Sequence, residues 1–191
     1  MKIKKIYQTL EDRDNPDYIE ENTPFKCKRK NAWLGVGYYF WDTFIENAHW
    51  WGKFSYHNSY VICEFKSNFN SEICFDLVGE TEHMLEFESI IELLKKKNLI
   101  TNNTTVSRIL SFIRDVIDFK YEAIRVYGIN SISNKKEENK DYIFQIPFVK
   151  KGYQYLDYKP LIQICIFEKN GLNLRESRIV YPDKYIDDYV I

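Results

Sequence analysis

Apolar side chains recur along the chain in two spacings, and each spacing predicts a different element of secondary structure. Runs rich in β-branched and aromatic residues predict strands, because such side chains fit a pleated sheet. These runs cover residues 3–9, 36–41, 60–65, 74–77, 123–127, 142–147, 161–167 and 178–181. Apolar residues three and four apart predict two amphipathic helices, over residues 84–94 and 106–117. A further short helix is predicted to begin after Asp42 or Thr43, because either side chain can cap its start, and to continue to about residue 51.

Of two polar segments, the first is predicted to be mostly loop and the second to be a solvated loop. Residues 11–31 hold Pro16 and Pro24, and residues 130–141 are densely charged. Strands therefore lie near both ends of the chain with helices between them, and no regular strand–helix–strand alternation is visible. This order predicts the α+β class. No repeat or linker divides the 191 residues, so one domain over residues 1–191 is expected.

Composition excludes some partners and favours a compartment. The 27 basic and 28 acidic side chains give a net charge of −1, so no overall field draws the protein to nucleic acid or to an anionic membrane. No apolar run resembles a signal peptide or approaches the ~18 residues of a membrane span, which predicts a soluble, cytoplasmic protein. Four scattered cysteines, three of them in apolar runs, are typical of buried thiols in a reducing compartment; they are Cys27, Cys63, Cys74 and Cys165.

Several catalytic motifs are absent from the sequence. It contains no phosphate-binding GxxxxGK[ST] loop, no HExxH and no GxSxG. Gly35 and Gly37 do not form a dinucleotide fingerprint, because the third glycine is missing and a strand follows where a helix should begin. His49, His57 and His83 stand at spacings that suggest no metal site, so no metal is predicted.

One segment concentrates aromatic residues. The stretch WLGVGYYFW, residues 33–41, holds two of the seven glycines and five aromatic residues, and all four tryptophans lie between Trp33 and Trp51. Gly35 and Gly37 remove side chains before the strand, so the backbone there can approach a flat ligand. The alternative is an ordinary aromatic core, since each such side chain buries about 150 to 250 Å². Both interpretations stay open from the residues alone.

The same segment resembles the ADP-ribosyltransferase family, which includes poly(ADP-ribose) polymerases and diphtheria-type toxins. In that family a GxGxYF-like strand supplies a tyrosine, and a short helix containing an alanine follows. A second aromatic residue, eleven positions after the tyrosine, closes over the nicotinamide of NAD. Two aromatic faces suit this cationic ring, with about 0.5 to 2 kcal/mol of cation–π attraction each. The matching residues here are Gly35, Gly37, Tyr39, Phe40, Ala48 and Trp50.

The resemblance extends to the first and the late strand, where this chain carries other residues than the family does. The family's first strand carries a YHGT-like motif whose histidine binds a ribose hydroxyl, and the corresponding stretch here runs from Tyr7 through Gln8 and Thr9. The family's late strand begins with a glutamate that orients the nicotinamide ribose, and Gln163 stands at that position. The implied triad is therefore Gln8, Tyr39 and Gln163, on a split antiparallel β core with helices between.

The resemblance implies an NAD-dependent ADP-ribosyltransferase or NAD glycohydrolase, with NAD as substrate and no metal. Gln163 and Tyr39 are the implied catalytic residues, and Gln8, Thr9, Gly37, Tyr39 and Trp50 the implied binding residues. The implied acceptor is a macromolecule, expected to be a protein, or water. A small chain of this kind would suit a toxin or a phage or antiphage effector with an antitoxin or immunity partner.

A different class of function stays open beside the enzyme. A non-catalytic module could keep the fold and the pocket and serve as a nucleotide sensor or a protein-binding partner. The missing acid favours this alternative, because an amide cannot stabilise positive charge as a carboxylate does. Arg125, inside an apolar strand, is either a pyrophosphate contact or half of a structural ion pair.

Overall fold

The computed structural model describes residues 2–116, 119–128 and 144–186. Within these ranges it contains nine strands and four α-helices. The strands are β1 (Lys2–Glu11), β2 (Tyr38–Asp42), β3 (Tyr60–Phe69), β4 (Cys74–Asp76), β5 (Ala123–Tyr127), β6 (Gln145–Pro147), β7 (Tyr155–Asp157), β8 (Ile162–Ile166) and β9 (Arg175–Tyr181). The helices are α1 (Pro16–Asn22), α2 (Ile45–Ser55), α3 (Thr81–Lys96) and α4 (Val106–Val116).

Seven strands form one sheet, in the order β4-β5-β8-β2-β1-β3-β9. Its neighbours pair antiparallel except for the parallel pair β4–β5, and β6 with β7 forms a separate hairpin. The chain thus combines a mostly antiparallel sheet with four helices. This mixed helix and strand content agrees with the predicted α+β class. No helix in the described ranges combines the length and the apolar character that crossing a bilayer requires.

Both faces of the sheet carry buried apolar side chains. One face packs Ile6, Phe40 and Ile164 against Ile19 of α1. On the other face α2 lies over β1, β2 and β3, and α4 packs its buried apolar stripe against β5 and β8. That stripe consists of Ile109, Leu110 and Ile113, at the helical spacing read from the sequence. Each such side chain removed from water contributes about 1.5 to 3 kcal/mol.

The boundaries differ from the predictions at several places. Residues 11–31, predicted to be mostly loop, also contain α1, with Pro16 in its first turn and Ile19 buried at 3% exposure. The strand β7 was missed, and α3 buries only Leu94 of its sixteen residues, although its apolar spacing predicted a wider buried face. The loop predicted over residues 130–141 and the start of the strand predicted over 142–147 lie outside the described residues.

The pairing between β1 and β2 is short, and this shapes the centre of the sheet. Strand β1 pairs with β3 along all ten of its residues. With β2 it pairs only at Ile6 with Asp42 and at Tyr7 with Trp41. Beyond Tyr7 the two strands part, so an opening forms between the second half of β1 and the first half of β2.

Candidate functional site

A cavity of about 500 Å³ lies where β1 and β2 part. Seven aromatic rings line it, from Phe25, Trp33, Tyr39, Phe40, Trp41, Trp51 and Tyr56. Its other polar and charged lining side chains are Gln8, Thr9, Lys26, Lys28, Arg29, Asn31 and Gln163. Most strand residues at its base are buried and Tyr39 is half-buried, whereas Lys28 and Arg29 at its rim are exposed. No carboxylate of the described residues lines it, so the cavity combines aromatic walls with a cationic rim.

Tyr39 forms one wall, and its hydroxyl is fully engaged with the backbone. The hydroxyl accepts a hydrogen bond from the Leu34 N–H at 2.8 Å and donates one to the Gly35 carbonyl at 2.7 Å. Burial raises the pKa of Tyr39 above its ordinary value. The hydroxyl therefore holds the turn at Gly35, whose φ of +83° favours glycine, and the ring face is what Tyr39 offers to a ligand.

Gln163 lies at the middle of the sheet with an unsatisfied atom. In β8 it is opposite Trp41 on one side and Val126 of β5 on the other. The side chain is 9% exposed, and its Oε1 is buried without a hydrogen-bond partner in the described part of the chain. An unpaired buried carbonyl oxygen costs about 1 to 3 kcal/mol. A ligand hydroxyl or N–H reaching this oxygen would remove that cost.

Gln8 lines the cavity, but its amide is committed to the backbone. Its Oε1 accepts from the Phe25 N–H at 2.7 Å, and its Nε2 donates to the Phe25 carbonyl at 3.0 Å and the Tyr39 carbonyl at 3.4 Å. Strand alternation places Tyr39 and Gln163 on one face and Gln8 on the other. All three residues line the cavity, but Gln8 does so from the opposite face of the sheet, as the side chain that spans the gap between β1 and β2. The three side chains do not share one face, which counts against the resemblance.

Two other predicted binding residues also have structural contacts. The Thr9 hydroxyl donates to the Ala48 carbonyl at 3.0 Å, which ties β1 to α2. A Cβ on Gly37 would lie 2.5 Å from the Cys165 Sγ and 2.8 Å from the Ile166 carbonyl oxygen. The close approach that Gly37 permits is thus to strand β8, and Gly37 is not among the residues that line the cavity.

The predicted partner of Tyr39 requires a correction. Trp51, and not Trp50, is the α2 residue that lines the cavity. Trp50 instead stacks on Phe54, with ring centroids 5.8 Å apart and planes at 6°, and meets Trp41 edge to face. Successive helical residues point about 100° apart, so only one of two adjacent tryptophans can face the cavity. The eleven-residue spacing leads to Trp50, which is not among the residues that line the cavity.

The cationic rim was not predicted, because residues 11–31 were expected to be mostly loop and were given no part in the site. Cys27 pairs with Gly37 as an isolated bridge, and this contact brings the sequence KCKRK, residues 26–30, to the cavity. The Lys26 ammonium lies 5.6 Å from the Tyr38 ring centre, and the Arg29 guanidinium lies 5.8 Å from that of Tyr56. A basic run next to an aromatic segment was the available signal.

Arg125 belongs to a buried ion-pair network away from the cavity lining. Its Nε lies 2.7 Å from the Asp42 Oδ2, and its Nη1 lies 3.0 Å from both oxygens of Asp76. Lys4 adds a second cation 2.8 Å from Asp42. These four side chains are between 2% and 13% exposed. The geometry decides the open question about Arg125 in favour of a structural ion pair.

The histidines at positions 49 and 83 have structural neighbours. The Nδ1 of His49 lies 3.0 Å from the Tyr60 hydroxyl, and burial lowers the pKa of His49. The Nδ1 of His83 accepts from the Asp76 N–H at 2.9 Å. Within residues 2–116, 119–128 and 144–186, no group of three or more His, Cys, Asp or Glu side chains is arranged to hold a metal ion.

Comparisons of the chain with protein-family models, curated proteins and solved structures found no match. The class of protein can therefore be described only from its fold and its cavity. It is a protein of mixed helices and a mostly antiparallel sheet, with an aromatic and cationic cavity where two central strands part.

The tight contact at Gly37 gives a prediction about stability. Gly37→Ala should lower the free energy of unfolding by about 1 to 3 kcal/mol, because the new methyl group meets the β8 backbone. The matched control is Gly128→Ala, where an added Cβ meets no atom of the described residues within 4 Å. Urea unfolding of both variants measures the difference. Equal stability of the two variants would contradict the close packing of residue 37 against β8.

Proposed function

We propose that the cavity binds NAD and that the chain acts on it as an ADP-ribosyltransferase or NAD glycohydrolase with an ADP-ribosyltransferase-like fold. One observation carries the proposal. The cavity joins aromatic walls and a cationic rim to an unpartnered, buried carboxamide oxygen at Gln163. NAD offers the complementary groups, which are flat rings, a pyrophosphate and ribose hydroxyls.

The size and charge of the cavity support this ligand. Its volume of about 500 Å³ falls in the range of roughly 300 to 1,000 Å³ that is usual for small-molecule sites. Lys26, Lys28 and Arg29 make no ion pair with a carboxylate of the described residues, so their charges are available to a pyrophosphate. A ribose hydroxyl would supply the donor that the Gln163 oxygen lacks.

The arrangement of the strands also supports the proposed fold. The resemblance implies a split antiparallel core whose triad residues lie on neighbouring strands. Here β1, β2 and β8 are adjacent and antiparallel, and β1 parts from β2 after Tyr7. Gln8 bridges that gap through the Phe25 and Tyr39 backbones. Its proposed role is accordingly to hold the opening in shape, with ribose contact as a weaker candidate.

The proposed reaction breaks the bond between nicotinamide and its ribose. The ring of Tyr39 would pack on nicotinamide from one side and Trp51 from the other. Gln163 would orient the ribose while positive charge develops on it and the bond electrons leave with neutral nicotinamide. A nucleophile on a protein acceptor, or water, would then bond to the ribose carbon and lose its proton. Such a protein would fit a toxin or a phage or antiphage effector, with an antitoxin or immunity partner.

A second function is favoured by one observation. The cavity lacks a carboxylate among the described residues, so no anionic side chain there would stabilise the developing positive charge. A nucleotide-sensing or protein-binding module that binds NAD without cleaving it would not need that carboxylate. Nicotinamide release by the wild type separates the two functions.

Adjacent tryptophans supply the test of NAD binding. Trp51→Ala should weaken NAD binding by about 1 to 3 kcal/mol, roughly 5- to 150-fold in Kd, because a stacking face is lost. Trp50→Ala is the matched control, since this ring packs on Phe54 outside the lining. Calorimetry measures both affinities, and circular dichroism confirms folding. Tyr39→Ala is less informative, because it also releases the turn at Gly35.

The outcomes separate the site from the core. A loss confined to Trp51→Ala supports NAD in the cavity. If both folded variants bind NAD as tightly as the wild type does, or if the wild type binds no NAD, the proposal is overturned. These rings are then core residues only. A loss confined to Trp50→Ala would restore the original sequence prediction and contradict the orientation of α2.

A further inference from the structure

Cys27 differs from the other three cysteines in its surroundings. Cys63, Cys74 and Cys165 are 0% exposed, and burial raises the pKa of each thiol to about 12. Cys27 is half-buried and lines the cavity. Because a thiolate is the reactive form and must be reached by its partner, Cys27 is the cysteine positioned for covalent chemistry in the folded protein.

Two backbone hydrogen bonds to Gly37 fix the position of Cys27. Its N–H donates to the Gly37 carbonyl at 2.8 Å, and its carbonyl accepts from the Gly37 N–H at 3.3 Å. Lys26 and Lys28 flank it in sequence, and Arg29 follows at the same cavity rim. An anionic reagent entering the cavity therefore meets three cations and no carboxylate of the described lining.

A second observation shows that the same cavity suits a polar ligand. The Gln163 side chain, 9% exposed, has a buried Oε1 without a hydrogen-bond partner in the described ranges. Amide N–H groups of a small peptide would satisfy it as well as a ribose hydroxyl would. Glutathione is such a peptide, and it carries net negative charge at neutral pH.

We propose that Cys27 is a thiol-modification site at which glutathione disulfide forms a mixed disulfide that fills the cavity and blocks its ligand. The Cys27 thiolate attacks one sulfur of the disulfide, a new sulfur–sulfur bond joins Cys27 to one glutathione, and the other glutathione leaves as a thiolate. Cys27 is oxidised and the departing glutathione is the reduced product. Reduced glutathione in excess reverses the step. The proposed modification of Cys27 follows from its position in the cavity and does not depend on NAD binding. Only the blocking of NAD rests on the proposed function.

The first experiment measures where and how fast the native protein reacts. Glutathione disulfide should add one glutathione per chain, found by mass spectrometry on the peptide that contains Cys27. The anionic reagent 5,5′-dithiobis(2-nitrobenzoate) should react faster than neutral 4,4′-dithiodipyridine, relative to their rates with mercaptoethanol. This preference should fall at least about tenfold as salt rises from about 0.02 to about 0.5 M, because salt screens the cationic rim.

Variants decide what causes the preference. Lys28→Gln and Arg29→Gln should reduce the preference for the anionic reagent, whereas Lys53→Gln on α2 is the matched control away from the cavity lining. Cys27→Ser should take up no glutathione. A modification at Cys63, Cys74 or Cys165 in the folded wild type, or a Cys27 that reacts no faster with the anionic reagent, would overturn the proposal.

A second measurement tests the block. Glutathione-modified wild type should lose NAD affinity by at least about tenfold, since the adduct occupies the cavity, and dithiothreitol should restore it. The same treatment should leave the affinity of Cys27→Ser at its untreated value. Unchanged affinity of the modified wild type would refute the blocking role. If the untreated wild type binds no NAD, the proposed function fails, while the labelling pattern still decides whether Cys27 is the modification site.

Discussion

Arg125→Met is expected to lower the free energy of unfolding by about 3 to 5 kcal/mol, the largest stability effect among the substitutions considered. The guanidinium bonds both Asp42 and Asp76, and these two carboxylates are 2% and 4% exposed. Methionine fills much of the same volume without the charge, so a buried carboxylate is left without its cation. Urea unfolding measures the loss, and Arg125→Lys should recover part of it because it keeps the charge without the planar fork.

An exposed arginine provides the matched control. Arg13 pairs with Glu11, but the two side chains are 74% and 49% exposed, so Arg13→Met should change stability by no more than about 1 kcal/mol. Similar losses at Arg125 and Arg13 would show that the buried network contributes no more than a surface pair. In that case the assignment of Arg125 to a structural role would be wrong.

The pH dependence gives an independent check on Arg125. Burial by itself would raise the pKa of Asp42, but Lys4 and Arg125 hold it below its usual range. Such a carboxyl stabilises the fold above its unfolded pKa of about 3.9, and this contribution is lost as pH falls through the folded value. Removing Arg125 raises the pKa of Asp42. The difference in stability between wild type and Arg125→Met should therefore be largest near neutral pH. It should narrow as pH falls through the raised pKa of Asp42 in the variant and then through its lowered pKa in the wild type.

Gln163→Glu should raise nicotinamide release from NAD by about 10² to 10³-fold if the chain is an enzyme. The bond that breaks leaves positive charge on the ribose, and a carboxylate stabilises this transition state more than the ground state. Glutamate has almost the shape of glutamine, so the fold should accept it. Because burial raises the pKa of a carboxyl, the gain should increase with pH as the new side chain ionises and disappear below its pKa.

Two further variants at the same position separate orientation from charge. Gln163→Ala should lower any wild-type release, because the ribose hydroxyl loses its partner, and Gln163→Met should do the same while preserving volume. Chromatographic quantification of nicotinamide, with and without cell extract as a source of acceptor, gives the rates. If wild type and Gln163→Glu bind NAD but release no nicotinamide, the enzyme proposal fails and the chain is a non-catalytic binding module. If Gln163→Ala leaves a robust wild-type rate unchanged, the catalytic group lies elsewhere around Tyr39.

The main elements could be predicted because their physics is local. The run from Tyr60 to Phe65 reads as a strand from its apolar and β-branched residues, and it forms the first part of β3. The spacing of Ile109, Leu110 and Ile113 predicted the buried stripe of α4. Gln163 and Tyr39 both line the cavity, from adjacent strands of the central sheet.

The errors arose where a side chain's role depends on a distant part of the chain. Trp50 and Trp51 are equivalent in sequence, and only the docking of α2 on β1 to β3 decides which one faces the cavity. Gly37 is constrained by β8, which lies more than a hundred residues later in the chain. Local spacing carries no information about such contacts.

The sequence by itself determined the mixture of strands and helices and the aromatic segment from which the cavity walls are built, because backbone propensity and apolar periodicity act over a few residues. Tertiary structure decided the functional surroundings. It brought Lys26 and Arg29 beside the aromatic rings, joined Arg125 to Asp42 across 83 positions, and left the Gln163 oxygen without a partner in the described chain. Charge pairing and burial depend on distances in space, which only the folded chain sets.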